Sequence, residues 1–478
     1  MAELRREREQ RGWTKLRAVT QLQTAARERG IVLSAQRDSL LRQLARWENG
    51  EKPSGWTGPD EPYRTLFCSI YGKTPEEFGW AHSSGSQESA SVTAALNFDP
   101  STKASLAALG DLSKVDANPH DTAMPGVNNF ASERLSALAL DWMFVEPIAD
   151  LPTHRSIRVT PADVHEIRQT TRTLDQLDRQ VGGEQSRVVA ARYLNQRVLP
   201  RLAGQYTLEV ERDLFHAAAV LCEVIGWNAL DMGRPGISQR YFTQALRLAK
   251  TGGHRHFGAY VLTSLSDQAL FLGHPREALR LAQAAHASAT GAPSVLTESA
   301  LLEARAHATL QDQSGCAAAL NRAERAFDKI RPEDVEDRHQ VIDNVILASH
   351  VGTCWVDLGE PNRAETSLVT VLDAMRGQAR RRVYGTIQLA KVALLRKDTE
   401  LACSLGIEAA GAINGLPSYR SAHHLNDLAQ RVRTVGPHPR SSDFLSLADA
   451  TLSGPRPLTA FPIQASCRRP DQLDTVKP

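Results

Sequence analysis

Gly233-Arg234-Pro235-Gly236-Ile237-Ser238-Gln239-Arg240-Tyr241-Phe242-Thr243-Gln244-Ala245-Leu246 decides how this chain is read, because it carries the small-residue spacing of one helix turning back on another. From Asp163 onward the sequence is rich in Ala, Leu, Arg and Glu, with breaks at Gly or Pro every fifteen to twenty residues. That texture asks for repeats. Placing the turn between paired helices at Gly233, Gly273, Gln311, Gly359 and Lys397 gives spacings of 40, 38, 48 and 38 residues. Five residues after each stands Ser238, Ala278, Cys316, Ala364 or Ala402, and seven further on Ala245, Ala285, Ala323, Val371 or Ala409. Small side chains at both places let two helices approach closely, as antiparallel pairs stacked on their neighbours require.

This arrangement resembles tetratricopeptide repeats, most clearly in 233–246 and in Gly273-His274-Pro275-Arg276-Glu277-Ala278-Leu279. The periods exceed the ~34 residues of that family, and two of the five turns lack glycine, which implies longer helices and loops. Arg331-Pro332-Glu333-Asp334-Val335-Glu336-Asp337-Arg338 is the largest insertion. Residues 163–225 are expected to cap the array with one or two further helix pairs, giving a repeat domain over 132–436. In 437–478, one short helix around Asp443 to Leu452 and a disordered tail from Pro455 to Pro478 are expected.

Working outward to the N-terminus, Leu4 to Arg11 forms a charged helix that stops at Gly12. Thr14 caps a second helix running to about Arg29, and Ser34 or Asp38 caps a third, whose apolar Leu40, Leu41, Leu44 and Trp47 share one face before Gly50. The heptad Leu44-Ala45-Arg46-Trp47-Glu48-Asn49-Gly50, the first helix and turn, and the stretch from Pro62 to Phe78 resemble in order the helix-turn-helix domain of the phage-repressor and xenobiotic-response-element family, here over 1–80. The resemblance implies that Arg42 and Gln43 read base edges, that Arg46 reads a base or clamps a phosphate, and that Lys15 contacts a phosphate. It also implies an internal Arg8 to Glu48 ion pair tying the first helix to the end of the third. Leu40 and Leu41 stand where that family commonly has polar residues.

Length, charge and composition fit such a division. A chain of 478 residues exceeds one compact core. Its net charge is only +2, yet residues 1–50 hold eleven Lys/Arg against six acids, an excess of five where phosphates would be met. Residues 81–131 turn to Ser, Ala, Gly, Asn and Pro and are read as a flexible linker; an apolar helix from Leu135 to Val145 follows. The six cysteines, Cys68, Cys222, Cys316, Cys354, Cys403 and Cys467, form no C-x-x-C pair, so reduced, mostly buried thiols are expected. With no leader and no apolar run near the ~18 residues of a membrane span, a cytoplasmic protein with no membrane partner is expected.

No phosphate-binding loop, Gly-x-Ser-x-Gly or His-Glu-x-x-His motif occurs, so neither an enzyme nor a cofactor is expected. His254-Arg255-His256 and His423-His424 lack carboxylates or cysteines at metal spacing, and no metal is expected. Trp227, Tyr241, Phe242, Tyr260, Phe271, Trp355 and Tyr384 are read as core. Polar positions within the first helix of each pair, Asn228, Asp231, Ser264, Asp267, Gln268, Arg305 and Gln388, are the candidates for lining a concave ligand groove.

The expected fold is all-α: a helix-turn-helix domain, a linker and a helical repeat array. That order resembles Streptomyces-like actinobacterial regulators of development and secondary metabolism, and more distantly the peptide-sensing regulators of other Gram-positive bacteria. The resemblance implies a sequence-specific DNA-binding repressor that binds a palindromic operator as a homodimer and takes a peptide, small-molecule or protein effector on its repeats. The rival reading is a repeat scaffold that gathers partner proteins, its head degenerate.

Overall fold

The computed structural model describes residues 2–28, 37–49, 63–73, 78, 92–118, 128–151, 157–181, 183–331, 342–374, 379–415, 418–435 and 438–453. The described residues are helical throughout, apart from turns, coil and the isolated bridges of Ser101 with Ile148 and Arg158 with Gln205. They divide into two compact units, 1–91 and 92–478.

The first unit contains α1 (Ala2–Gln10), α2 (Lys15–Glu28), α3 (Arg37–Asn49) and α4 (Tyr63–Tyr71). Leu4, Val19, Leu22, Leu40, Leu44, Phe67 and Tyr71 bury into one small core. The aromatic side chains interlock there: Trp47 meets Tyr63 and the edge of Phe67, and Tyr71 lies against Trp13. Gly12 takes φ 62°, and the Trp13 amide donates back to Arg8 O at 3.0 Å, which ends α1 with a left-handed cap. Arg11 reaches from that turn to the carbonyls of Ile70 and Tyr71 at the end of α4.

The second unit begins with α5 (Thr102–Ala117), α6 (Leu135–Phe144), α7 (Pro161–Val181) and α8 (Gly183–Tyr193), the last continuing through a π turn, Leu194–Val198, into α9 (Leu199–Leu202). Six helix pairs follow: α10 (Leu208–Asp231) with α11 (Pro235–Thr251), α12 (Arg255–Phe271) with α13 (Pro275–Ser288), and α14 (Pro293–Thr309) with α15 (Gln313–Phe327). Then come α16 (Asn344–Asp357) with α17 (Pro361–Ala374), α18 (Ala379–Leu395) with α19 (Thr399–Gly415), and α20 (Tyr419–Val435) with α21 (Pro439–Leu452).

All five turn residues aligned in the sequence have positive φ: Gly233 69°, Gly273 83°, Gln311 61°, Gly359 75° and Lys397 65°. At each, the next amide donates to a carbonyl five residues back, at 2.8 to 2.9 Å, the bond that seals a helix C-terminus before the chain reverses. The ten aligned packing positions after them are buried, the least so being 1% exposed. The repeat spacing therefore locates the helix pairs, glycine or not.

Two boundaries differ from the sequence reading. The stretch 81–131 was expected as a linker, yet 92–118 and 128–131 are built into the second unit. Val92, Ala95, Phe98, Leu109 and Leu112 enter its main core, and one face of α11 binds this cover through its backbone. Arg247 donates to the carbonyls of Asp99 and Pro100 at 2.5 and 2.6 Å. Arg240 donates to Val92 O at 3.1 Å, and Gln244 to Ala95 O at 2.9 Å. The Gln239 amide exchanges two bonds with the Ala131 backbone. Small residues that read as flexible serve close packing instead, and the polar partners lie some 150 residues downstream, outside any local window. Residues 81–91 lie outside the described residues. At the other end, α21 is longer than expected and packs Phe444 and Ala448 into the core of α18 to α20, so it completes the array. The insertion from Pro332 and the tail from Pro455 lie outside the described residues.

Among the described residues one helix, α10, is long and apolar enough to cross a membrane, but 89% of its apolar window is buried inside the array, as a core helix would be.

Candidate functional site

In the first unit, Arg8 and Glu48 form a two-pronged pair, Nε to Oε1 at 2.5 Å and Nη2 to Oε2 at 3.0 Å, and Nη1 of Arg8 donates to Trp13 O at 2.8 Å. Both side chains are buried, 9% and 1% exposed, so the pair fixes α1 against the end of α3. Lys15 stands half-exposed at the start of α2, its Nζ 3.9 Å from Glu48. On α3 the apolar residues face the core and Arg42 is exposed, as is Arg37 at the start of the helix. Gln43 corrects the sequence reading of a solvent-facing base reader. It is half-buried, and its Oε1 is withdrawn from solvent with no partner among the described residues. The Arg46 side chain lies outside the described residues.

In the second unit, the first helix of every pair, α10, α12, α14, α16, α18 and α20, contributes to one cavity of about 320 Å³. Its wall alternates flat apolar groups with charge. Trp227, Tyr260, Phe271 and Tyr384 supply the rings, and Arg305, Arg380, Arg381 and Arg420 the cations, against Asp267 and Glu298. Arg305 meets Asp267 at 2.8 Å, while the Arg420 guanidinium lies over Trp227, 4.8 Å from the ring centroid.

The cavity is closed by contacts between the first and last pairs. Asp231, at the end of α10, accepts from Arg420 at 2.7 and 3.0 Å, from Ser418 at 3.0 Å and from Arg380 at 3.4 Å. Arg380 also meets Asp178 of α7 at 2.7 Å, and Phe271 packs against Tyr419 and His423. In a stacked array each repeat ordinarily touches only its neighbours. Residues 189 apart in sequence are joined here.

Burial and neighbouring charge set the ionisation of the wall. Burial would raise the Asp231 carboxyl, but Arg420 and Arg380 outweigh it and hold the group below its usual range. Glu298 has no such partner: burial, then Asp267 and Glu223, push its carboxyl up to about 8 against the pull of Arg381. Burial, reinforced by Arg305, lowers His350 to about 4. His424 is held well below its usual value by burial, Lys391 and His423. Behind the wall, burial raises Glu223 to about 7, with Ser264 and Trp227 donating to it at 3.1 and 2.5 Å.

Of the seven groove residues expected, Asp267 and Arg305 line the cavity, and Asp231 holds the arginines that do. The other four are set into the structure instead of the wall. Ser264 bonds Glu223, Gln268 donates to Pro235 O at 2.9 Å, and Asn228 and Gln388 are buried. Of the aromatics read as core, Tyr241 and Phe242 are fully buried, whereas Trp227, Tyr260, Phe271 and Tyr384 reach the wall. Sequence reasoning missed Glu298, His350 and the cavity arginines of α18 and α20. The basic run Arg380-Arg381-Arg382 opening an apolar helix was the available signal. Among the described residues no three metal-ligating side chains gather, and His423 and His424 diverge, the first stacking on Phe271 and the second reaching the cavity.

No family model matches the chain, and neither a curated protein nor a solved structure is detectably similar to it.

Proposed function

We propose that this protein is a sequence-specific DNA-binding transcriptional regulator whose tetratricopeptide-like array senses an effector. The observation that carries the reading is the pairing of a locked scaffold with a free cationic edge. Arg8 and Glu48 fix α1 to α3, while Arg42 stays exposed on the side of α3 opposite the core and Arg37 at the start of the helix. A helix held this way is suited to the major groove, where an arginine fork bonds two acceptors of guanine. In this reading α2 and α3 are the helix-turn-helix, Arg42 is the first base reader and Lys15 meets a phosphate. One such head covers a half-site, so a homodimer on a palindrome with half-sites ~34 Å apart is required. Repression of development or secondary metabolism, in the cytoplasm, follows from the resemblance to actinobacterial regulators.

The test is binding of the full chain to DNA fragments enriched from a random pool, titrated against salt. A DNA reader loses affinity linearly in log salt, and Arg42→Ala costs about 1–3 kcal/mol and relaxes one position of the site. Salt-independent binding, unchanged by Arg42→Ala, would favour the scaffold reading.

A further inference from the structure

We propose that the cavity binds one compact organic anion, a carboxylate or equivalent carried on a flat apolar body, and not an extended peptide. The inference deepens the sensing half of the functional reading, but it stands on the geometry of the second unit alone.

Three observations carry it. The first is shape: Asp231 with Arg380, Arg420 and Ser418 joins the two ends of the array, so helices ring a half-open chamber whose ends are tied together. At about 320 Å³ it falls at the small end of the ~300–1,000 Å³ range of small-molecule sites. The second is charge. Four arginines line the wall against two acids, and one of those acids, Glu298, holds its proton up to about pH 8. Arg305, Arg380 and Arg420 are paired with Asp267, Asp178 and Asp231, so with Glu298 protonated the four guanidiniums exceed the charged carboxylates by one, and their forks match carboxylate oxygens. Nε of Arg305, Nε of Arg380 and Nδ1 of His350 are buried without a hydrogen-bond partner among the described residues, so the polar wall is incompletely satisfied. The third is the lining itself: Trp227, Tyr260 and Tyr384 offer ring surface for an apolar body beside those cations. A neutral carboxyl on Glu298 and a neutral imidazole on His350 add a donor and an acceptor without adding charge that would repel or compete for the anion.

The probes are indole-3-acetate and phenylacetate, compared with indole-3-acetamide and tryptamine, with binding to the full chain read by calorimetry and by the shift in melting temperature. Saturable binding of a carboxylate is expected, with the matched amide weaker by about tenfold or more, as loss of a charge-assisted bond implies, and no binding of the amine. Ser349→Phe places a ring in the cavity from a wall position that makes no charged contact. It is expected to abolish binding while leaving the unliganded melting temperature within a few degrees of the parent. Should that variant fail to fold, Arg381→Gln provides the second test, with weaker carboxylate binding and unchanged amide binding. Absence of binding by both carboxylates at about 10 mM, equal binding of acid and amide, or carboxylate binding that survives Ser349→Phe in a folded protein would each overturn the proposal. None of these readouts involves DNA, so failure here leaves the DNA-binding reading standing, and failure of DNA binding leaves this one standing.

Discussion

The array buries arginines on two sides and treats them in opposite ways. On α11, Arg240 and Arg247 bond the carbonyls of the covering segment 92–100, and burial lowers both guanidiniums to about 10, in Arg247 against the opposing pull of Asp99 and Asp150. On the cavity side Arg305 and Arg420 are partly buried, 17% and 34% exposed at the side chain, yet their pKa values are raised: desolvation pulls them down, and Tyr384 and Asp267 in the first case, Asp231 in the second, more than restore them. Carbonyl acceptors belong to a backbone that stays in place, so the covered side is a fixed seam. Carboxylate partners make the cavity side a junction between separate helix pairs, held by side chains and not by backbone. The covered side is tied through the backbone, and the cavity side, tied through side-chain ion pairs, is where a ligand has something to shift.

Four substitutions would break or sharpen that contrast. Asp231→Ala should have the largest effect, about 3 kcal/mol of lost stability in urea unfolding, because Arg420 loses its carboxylate partner while Arg380 keeps Asp178. It should also expose the helix pair α20 and α21 to protease ahead of the rest, and a loss under ~1 kcal/mol would mean that the junction holds nothing. Arg247→Met should cost about 1–2 kcal/mol by orphaning the Asp99 carbonyl, the Pro100 carbonyl keeping the Ile148 amide, with faster amide exchange confined to 92–118. If exchange rose instead across α18 to α20, the two sides would not be separable.

Glu298→Gln addresses pH. The folded carboxyl titrates at about 8, well above the ordinary value of 4.5. Its stabilising contribution is complete below about pH 4.5 and is lost as pH rises to about 8, because the unfolded chain releases this proton first. Glu223, raised to about 7, adds to the same decline. The Gln variant should flatten the fall in melting temperature between those limits, and a parallel curve would place Glu298 in contact with solvent. Lys397→Gly should have the smallest effect, a gain of up to about 1 kcal/mol, since Lys397 is exposed at φ 65° and glycine takes that conformation without strain. A loss on that substitution would show that the lysine side chain supports the turn.

Legibility in the sequence followed the range of the interaction. The turns at Gln311 and Lys397 were readable without glycine, because Cys316 and Ala402 and then Ala323 and Ala409 repeat at fixed local offsets. The Arg8 and Glu48 pair, 40 residues apart, was accessible only through a family resemblance. The segment 92–118 was misread since Ser105 and Ala108 look the same in a linker as in a close-packed helix, and the deciding partners, Gln244 and Arg247, lie far along the chain. The cavity was legible in part. Asp267 and Arg305 are polar residues in apolar helices, whereas Trp227 and Tyr384 follow the same spacing as core residues, and only the closing of the array onto itself separates wall from core.

The most direct test of the DNA-reading proposal is enrichment of sites from a random duplex pool by the full chain at ~150 mM salt, run beside Arg42→Ala. A palindromic motif with half-sites about one helical turn apart, lost or relaxed at one position in the variant, is the expected result. Equal pools from both proteins, with no motif in either, would contradict it.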